Sequence, residues 1–433
     1  MANDPKSIID NGVMRFWQWA AVIVTVGLNA MDGFDVLSIS FAAPGIAKEW
    51  GVDKATLGWV LSTELLGMAI GSVLLGGVAD KIGRRPTILG CLVAMAFGMY
   101  GAAHSHDVIT LLIFRLLTGV GIGGMLASIN AAAAESSNLR WRNLAMALMV
   151  IGYPLGGVVG GTVVQGLLTG GTWRDVFMFG AWATAAFVPL VWVLVPESVA
   201  FLDRARPPGA LEKINRTLAR FGHSPTTLPA TSQSITAQRS LADIFKPGLV
   251  LTTIVVTCAY FAHVVSFYYI LKWVPKIVVD MGFSPKAAAG VLTWANVGGA
   301  TGGAVFGLVA MRVGLKRLTI ITLLVGSAMI VWFGRGAADL TSLSVRVAVA
   351  CLFSNAAIVG FYSLFARVFP TYVRATGTGF AVGVGRGGAA LAPVCAGYLF
   401  QAGFGLQTVS LAMAAGSLIA AVALVALNER SGE

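Results

Sequence analysis

The sequence predicts an all-α membrane protein whose twelve transmembrane helices form two pseudo-symmetric bundles of six. Three observations lead there. Hydrophobic residues make up 57% of the 433 positions and charged residues only 11%, against roughly 25% charged in a soluble domain. Apolar runs of roughly 18 residues or more, each long enough to cross a bilayer, recur along the whole chain. The second half also weakly repeats the first.

The apolar runs fall at 17–43, 55–78, 87–104, 107–134, 143–168 and 175–195, then at 248–274, 286–311, 318–334, 341–366, 374–400 and 405–427. A polar stretch at 196–246 separates the two sets of six. The expected organisation is a first bundle over 1–195, a cytoplasmic central loop over 196–246 and a second bundle over 247–433. Within the loop, Leu211 to Phe221 has the pattern of a short amphipathic helix on the inner surface, and Ser and Thr over 224–240 read as flexible linker. Some runs exceed the bilayer thickness and must tilt or kink, with Pro154 and Pro393 as the kink sites. The N-terminus lacks a short hydrophobic region with a small-residue cleavage site, so Trp17 onward is expected as a retained helix.

Loop charges set the orientation. Six of the 30 Lys and Arg fall in outward loops (Lys48, Lys54, Arg174, Lys276, Lys286, Arg335) and four inside spans (Arg115, Lys272, Arg346, Arg386), which leaves 20 on the side of the termini. Both termini are therefore expected in the cytoplasm. The net charge of +11 belongs to these short loops, and no basic stripe with interleaved aromatics suggests a nucleic-acid partner. Cys91, Cys258, Cys351 and Cys395 lie in apolar segments without ligand spacing and read as small core hydrophobes. No cofactor or metal is implied. The absence of HExxH, GxSxG or clustered His and Cys argues against a membrane enzyme. Two matches to GxGxxG, from Gly119 and from Gly383, lie inside apolar spans with no preceding strand, and mark close helix packing. The 53 glycines, including the spaced set Gly152, Gly156 and Gly160, suit such packing.

Aligning Gly83 with Gly314 lays Gly77–Pro86 over Leu308–Arg317 at an offset of 231 residues. A similar offset lays Arg142–Leu148 over Arg374–Phe380. Two parallel six-helix halves leave such a trace, with a substrate site near mid-membrane where the halves meet.

The loop Gly77-Val-Ala-Asp80-Lys-Ile-Gly83-Arg84-Arg85-Pro86 resembles the most specific motif of the major facilitator superfamily. Arg115 with Gly119 and Gly121, the run Gly152-Tyr-Pro-Leu-Gly-Gly and Pro196-Glu-Ser198 match it further. Within that superfamily the chain is similar to the aromatic acid:proton symporters. Asp32-Gly-Phe-Asp35, Phe41-Ala-Ala-Pro44, Phe369-Pro-Thr-Tyr-Val-Arg374-Ala-Thr-Gly377 and Gly385-Arg386-Gly-Gly carry that likeness. It implies a monomeric multi-pass protein of the bacterial inner membrane that imports small aromatic carboxylates, such as benzoate or hydroxybenzoate, with protons by alternating access. The alternatives are a carrier of another organic anion, or a proton antiporter of drug-like compounds. Departures from the pattern are Met311, where the first repeat has Asp80, and the ionisable Glu64, His263 and Lys272 where neutral residues are expected.

An ionisable group in lipid costs at least about 2.5 kcal/mol, so those kept inside spans are functional candidates. Asp32 and Asp35, three apart, share a helix face. Gly33 between them permits close approach of a ligand or helix. Two acids this close repel each other, which suits a site that takes up and releases a proton. Asp35, the deeper, is read as the main proton site, with Asp32 tuning it or touching substrate; a helix cap or a fixed bridge to Arg115 is the other reading. Arg115 is either the switching partner of Asp35 or a fixed interhelical bridge. Arg386, about 18 Å into its helix, matches a carboxylate bidentately and is the candidate substrate anchor; the other reading pairs it structurally with Asp32, Asp35 or Glu64. Glu64 is either a neutral acid bonded to a carbonyl or a second proton site. His263 and Lys272 supply a cation for a second substrate carboxylate, or are merely hydrogen-bonded and snorkelled outward, respectively. Tyr268 and Asn296, and then Tyr362, are the ring-recognition candidates, drawn from a larger set that includes Tyr260, Trp294, Asn355 and Phe361. The cytoplasmic gate consists of Gly77, Asp80, Gly83, Arg84 and Arg85, with Glu135 as the acid they grip in one state and Arg374 at a helix N-terminus that Asp80 faces.

Overall fold

Among the described residues, twelve long helices follow the apolar runs of the sequence and three short ones lie outside them. The structure, a computed structural model, describes residues 4–227, 241–370 and 373–427; residues 228–240, most of the expected linker, and Thr371 and Tyr372 lie outside the described residues. In chain order the helices are α1 (Pro5–Asn11), α2 (Phe16–Trp50), α3 (Lys54–Ile82), α4 (Arg84–Ala103), α5 (Val108–Ser136), α6 (Arg142–Leu167), α7 (Trp173–Leu194), α8 (Val199–Ala205) and α9 (Ala210–Arg220). After a 3-10 turn at Leu241–Phe245 come α10 (Val250–Asp280), α11 (Pro285–Val313), α12 (Leu315–Gly334), α13 (Leu340–Val368), α14 (Arg374–Gln401) and α15 (Leu406–Ala426). Among the described residues there is no strand.

Eleven of the long helices are apolar enough along their length to cross a membrane. The twelfth, α11, has the required length, but Gly, Thr and Asn dilute its hydropathy. The largest departure from the expected ends is α2, which runs on to Trp50 because Pro44 is accommodated inside it. Helices α6 and α14 likewise continue through Pro154 and Pro393.

The internal repeat is visible in the elements themselves. α3 and α11 are both 29 residues, α4 and α12 both 20, and α5 and α13 both 29. Matching side chains start them. Asp107 accepts from the Thr110 N–H at 2.9 Å and Asp339 from Ser342 at 2.7 Å. Asp53 accepts from Thr56 at 2.7 Å and Ser284 from Ala287 at 3.2 Å. Each cap satisfies an orphan N–H and is worth about 1 kcal/mol. Gly83 and Gly314, the aligned glycines, precede α4 and α12 with φ of +108° and +87°, a region nearly closed to other residues.

The packing resolves into two compact units. Unit 1 comprises Met1–Val36, Gly67–Gly156 and Phe177–Thr236. Here α4 lies along α5 and α1 against α8. The apolar face of α9 is covered by protein: Ile214, Leu218 and Phe221 join Ile9, Val199, Phe201 and Leu202 in one small core. Unit 2 comprises Leu37–Leu66, Gly157–Val176 and Ala237–Glu433. In it α10 packs on α14 and α15, α11 on α13, and α12 on α13 and α15. Segment 37–66 joins these helices through backbone approaches that only glycine permits, such as Gly58 against the Pro393 carbonyl, and segment 157–176 through side chains packed on glycine, such as Thr293 on Gly161. One sequence reading needs correction. Cys91 and Cys351 are buried, but Cys258 and Cys395 are exposed on α10 and α14, because an apolar span presents one face to lipid and hydrophobicity alone does not say which.

The two glycines separate strain from crowding. A Cβ at Gly314 meets nothing within 4 Å, whereas one at Gly83 overlaps the Glu197 carboxylate and approaches the Phe201 ring. Gly314→Ala is expected to cost about 1–3 kcal/mol by backbone strain alone, and Gly83→Ala more. Unfolding in detergent measures both, and equal losses would contradict the packing seen at Gly83.

Candidate functional site

In unit 1 the ionisable groups of the spans converge on α2. Asp32 and Asp35 are 1% and 0% exposed, and Arg115 on α5 is 0% exposed. Arg115 donates from Nη2 to the main-chain carbonyl of Asp35 at 2.9 Å, and its Nη1 lies 2.9 Å from the Met99 sulfur. Its guanidinium also lies 5.2 Å from the centre of the Phe177 ring. The Thr184 hydroxyl donates to Asp35 Oδ2 at 3.5 Å. Glycines let the neighbouring helices close in on the two acids. A Cβ at Gly33 would overlap the Tyr153 carbonyl of α6, and one at Gly180 of α7 would stand 3.3 Å from Asp35 Oδ1. The structure therefore brings Asp35 and Arg115 together, with the guanidinium holding the α2 backbone beside the carboxylate.

At the α3–α4 loop a second charge cluster forms. Arg84 donates from Nη1 to Asp80 at 2.9 Å, and its Nε lies 3.6 Å from Glu135. Arg204 of α8 donates to the same Asp80 oxygen at 2.9 Å. Glu197 caps the N-terminus of α4, accepting from the Arg84 and Arg85 N–H groups at 2.9 and 3.5 Å and from Ser198 at 2.9 Å. Burial pushes the Glu197 carboxyl above the usual carboxylate range in spite of these donors. Asp80 is exposed, so each of its ion pairs is worth at most about 1 kcal/mol. Such contacts break readily. Arg85 departs from the cluster: it turns to the end of α7, donates to the Trp192 carbonyl and lies over that indole. Gly77 is exposed, with open space where a Cβ would stand. Arg374, in unit 2, donates to the Phe369 carbonyl at 3.3 Å.

In unit 2, Arg386 on α14 is half-buried. The Tyr260 hydroxyl is 3.3 Å from that of Tyr362, and its ring centre is 5.4 Å from those of Phe361 and Phe365. Gly385, beside Arg386, leaves room for the Tyr260 ring, which a Cβ would strike. Tyr268 stands edge-on to Phe267 with ring centres 5.4 Å apart, and Tyr362 is exposed. A cluster of phenols and phenyl rings is thus seated on the glycine that precedes Arg386. Asn296 is buried; its Nδ2 donates to the Leu292 carbonyl at 2.9 Å, and its carbonyl side lies against Gly157 of α6. Asn355 donates to the Gly299 carbonyl at 2.7 Å, while Trp294 is exposed.

Lys272 and Glu64 correct the sequence reading. Lys272 Nζ lies 3.8 Å from Glu64 Oε2, and both side chains are 0% exposed. The lysine does not snorkel outward, and the glutamic acid has it as a neighbour. An opposite charge on the facing helix compensates the ammonium at a depth where its stem finds no short route to water. His263, fully buried, has Nδ1 3.0 Å from the Ser417 hydroxyl and Nε2 2.9 Å from the Ser354 carbonyl, and it stacks on Phe361. Both ring nitrogens are engaged by unit 2 itself.

Comparison with known proteins agrees with this architecture. Residues 25–300 match the family model described as Major Facilitator Superfamily. The chain belongs to the Major Facilitator Superfamily. It is 28% identical to a gallate transporter of Pseudomonas putida over 98% of this chain and 94% of that protein. It is 30% identical to the 3-(3-hydroxy-phenyl)propionate transporter of Escherichia coli (strain K12) over 94% of both chains. A crystal structure of a D-xylose-proton symporter, 18% identical, shares its fold with a TM-score of 0.74, covering 96% of this chain and all of that one.

Within this superfamily chain, the sequence reading found the charged positions but not all their partners. Glu197 appeared there only as part of a motif, although its carboxylate caps α4 across more than a hundred residues of chain. Arg204 carried no signal in a polar loop. Tyr260 was one aromatic among many; the glycine at 385 that admits its ring was the usable clue. The Lys272–Glu64 pair gives a direct test. Lys272→Met leaves Glu64 buried without its cation and is expected to cost about 3–5 kcal/mol, whereas Lys272→Met with Glu64→Gln restores most of the loss. Thermal unfolding in detergent measures this, and equal stability of the single and double variants would show that the pair carries no charge.

Proposed function

We propose that this chain is a proton-coupled secondary transporter that imports small aromatic carboxylates by alternating access. The carrying observation is the cluster of Tyr260, Tyr362, Phe361 and Phe365 seated on Gly385, next in the chain to Arg386. A guanidinium matches a carboxylate with two parallel hydrogen bonds, and rings stack on or edge against a planar aromatic acid. Tyr268 and Asn296 are the further candidates for ring substituents. The names of the relatives, for gallate and for hydroxyphenylpropionate, support the same substrate class.

Asp35, with Asp32 beside it, is the proposed proton site, and Arg115 fixes the backbone that presents it. A proton neutralises the acid and the substrate neutralises Arg386, so the loaded carrier changes state without a stranded charge. Glu64, paired with Lys272, is the second group able to exchange a proton when that pair opens. Asp80, Arg84, Glu135 and Arg204 form the proposed gate, on the cytoplasmic face of a bacterial inner membrane with both termini inside. The carrier acts as a monomer.

Uptake of labelled 4-hydroxybenzoate into proteoliposomes tests this reading. An inward proton gradient is expected to drive accumulation, and Asp35→Asn to abolish accumulation while leaving substrate exchange. Arg386→Gln is expected to raise KM by about tenfold or more, the loss of one charge-assisted pair. Accumulation that ignores the proton gradient, or an Arg386→Gln variant with unchanged KM, would contradict the proposal.

A further inference from the structure

Two arginines from separate helices meet at the end of α7 in unit 1. Arg85 of α4 donates to the Trp192 carbonyl and lies 4.7 Å from that ring's centre. Arg220, the last residue of α9, donates to the next carbonyl, Val193, and lies 4.5 Å from the Trp17 ring. The two guanidinium groups thus hold successive carbonyls at one helix end, near enough for their like charges to act on each other. Neither makes an ion pair among the described residues. Glu197 is the acid whose charge reaches Arg85, but its carboxylate already serves three main-chain N–H groups.

Capping α7 does not account for this pair. The C-terminal end of a helix supplies roughly half a negative charge, less than one of the two positive charges it meets. Each guanidinium has five N–H donors, and a single carbonyl uses few of them. Exposed aromatic rings surround the pair. Trp192 is 64% exposed, Trp17 37% and Phe16 74%. On a membrane-spanning helix such aromatics mark the level where acyl chain gives way to headgroup.

We propose that Arg85 and Arg220 form a binding site for the phosphate of an anionic glycerophospholipid, with Trp17 and Trp192 flanking its glycerol and upper acyl chains. The site answers to the charge of the lipid and is separate from the substrate groups on α2 and α14. An arginine near an anionic surface contributes about fivefold to binding, so the pair contributes about thirtyfold.

The test uses the full chain in mild detergent, with phosphatidylglycerol, phosphatidylcholine or inorganic phosphate added while thermal unfolding and native mass spectra are recorded. Phosphatidylglycerol is expected to raise the unfolding temperature and to persist as a bound adduct, and the other two to do neither. Arg220→Gln, at the surface end of a short helix, should weaken the effect several-fold, and Arg85→Gln with Arg220→Gln about thirtyfold. Lys213→Gln, on the same helix but outside the pair, should leave it unchanged. An equal response to phosphatidylcholine, a response to inorganic phosphate alone, or an undiminished adduct in Arg220→Gln would overturn the proposal. If the double variant does not fold, Arg220→Gln against Lys213→Gln decides the matter.

Discussion

A charge carried into an apolar helix must be compensated within reach of its side chain, and that constraint organises this molecule. Arg115 is held by the Asp35 carbonyl, the Met99 sulfur and the Phe177 face. Lys272 is held by Glu64. In both cases the compensation joins two helices, so the charges fix helix positions as well as supplying chemistry. Unit 1 holds Asp32 and Asp35 with Arg115, and unit 2 holds Arg386, the Glu64–Lys272 pair and the aromatic cluster. A carrier that couples a proton to an organic anion needs both kinds of group, and each kind needs surroundings that keep water from cancelling its charge.

Glycine sets how closely those surroundings approach. Gly33 admits the Tyr153 backbone against α2, and Gly385 admits the Tyr260 ring against α14. A side chain at either position would push a neighbouring helix or ring away from the charged group. The GxGxxG matches act in the same way. Gly123 lies against the Met68 carbonyl and Gly388 against that of Phe261, which is helix packing and not phosphate binding. The two loop glycines with positive φ have another function, turning the chain between paired helices in both halves.

Nearly all of the fold was legible in the sequence. Twelve apolar runs became twelve helices with ends displaced by a few residues, because bilayer length and the need to satisfy backbone groups internally leave little choice. Even the weak repeat at Gly83 and Gly314 marked elements of equal length. The candidate site was less legible. Charges stand out in an apolar sequence, so Asp32, Asp35, Arg115, Glu64, Lys272 and Arg386 were identifiable by type. Their partners were not, since which face of a helix meets which neighbour depends on packing between distant segments. Lys272 finding Glu64, Glu197 capping α4, and Arg85 leaving its own motif for α7 are all of that kind. Exposure failed for the same reason at Cys258, Cys395 and Trp294.

The proposed coupling is tested most directly by proton exchange on substrate binding. Adding 4-hydroxybenzoate to the purified chain in weakly buffered detergent solution, with a pH indicator present, reports protons taken up as the site fills. The account predicts uptake by the wild type and none by Asp35→Asn, with binding to that variant confirmed separately by calorimetry. The same uptake in Asp35→Asn would place the proton elsewhere and contradict the account.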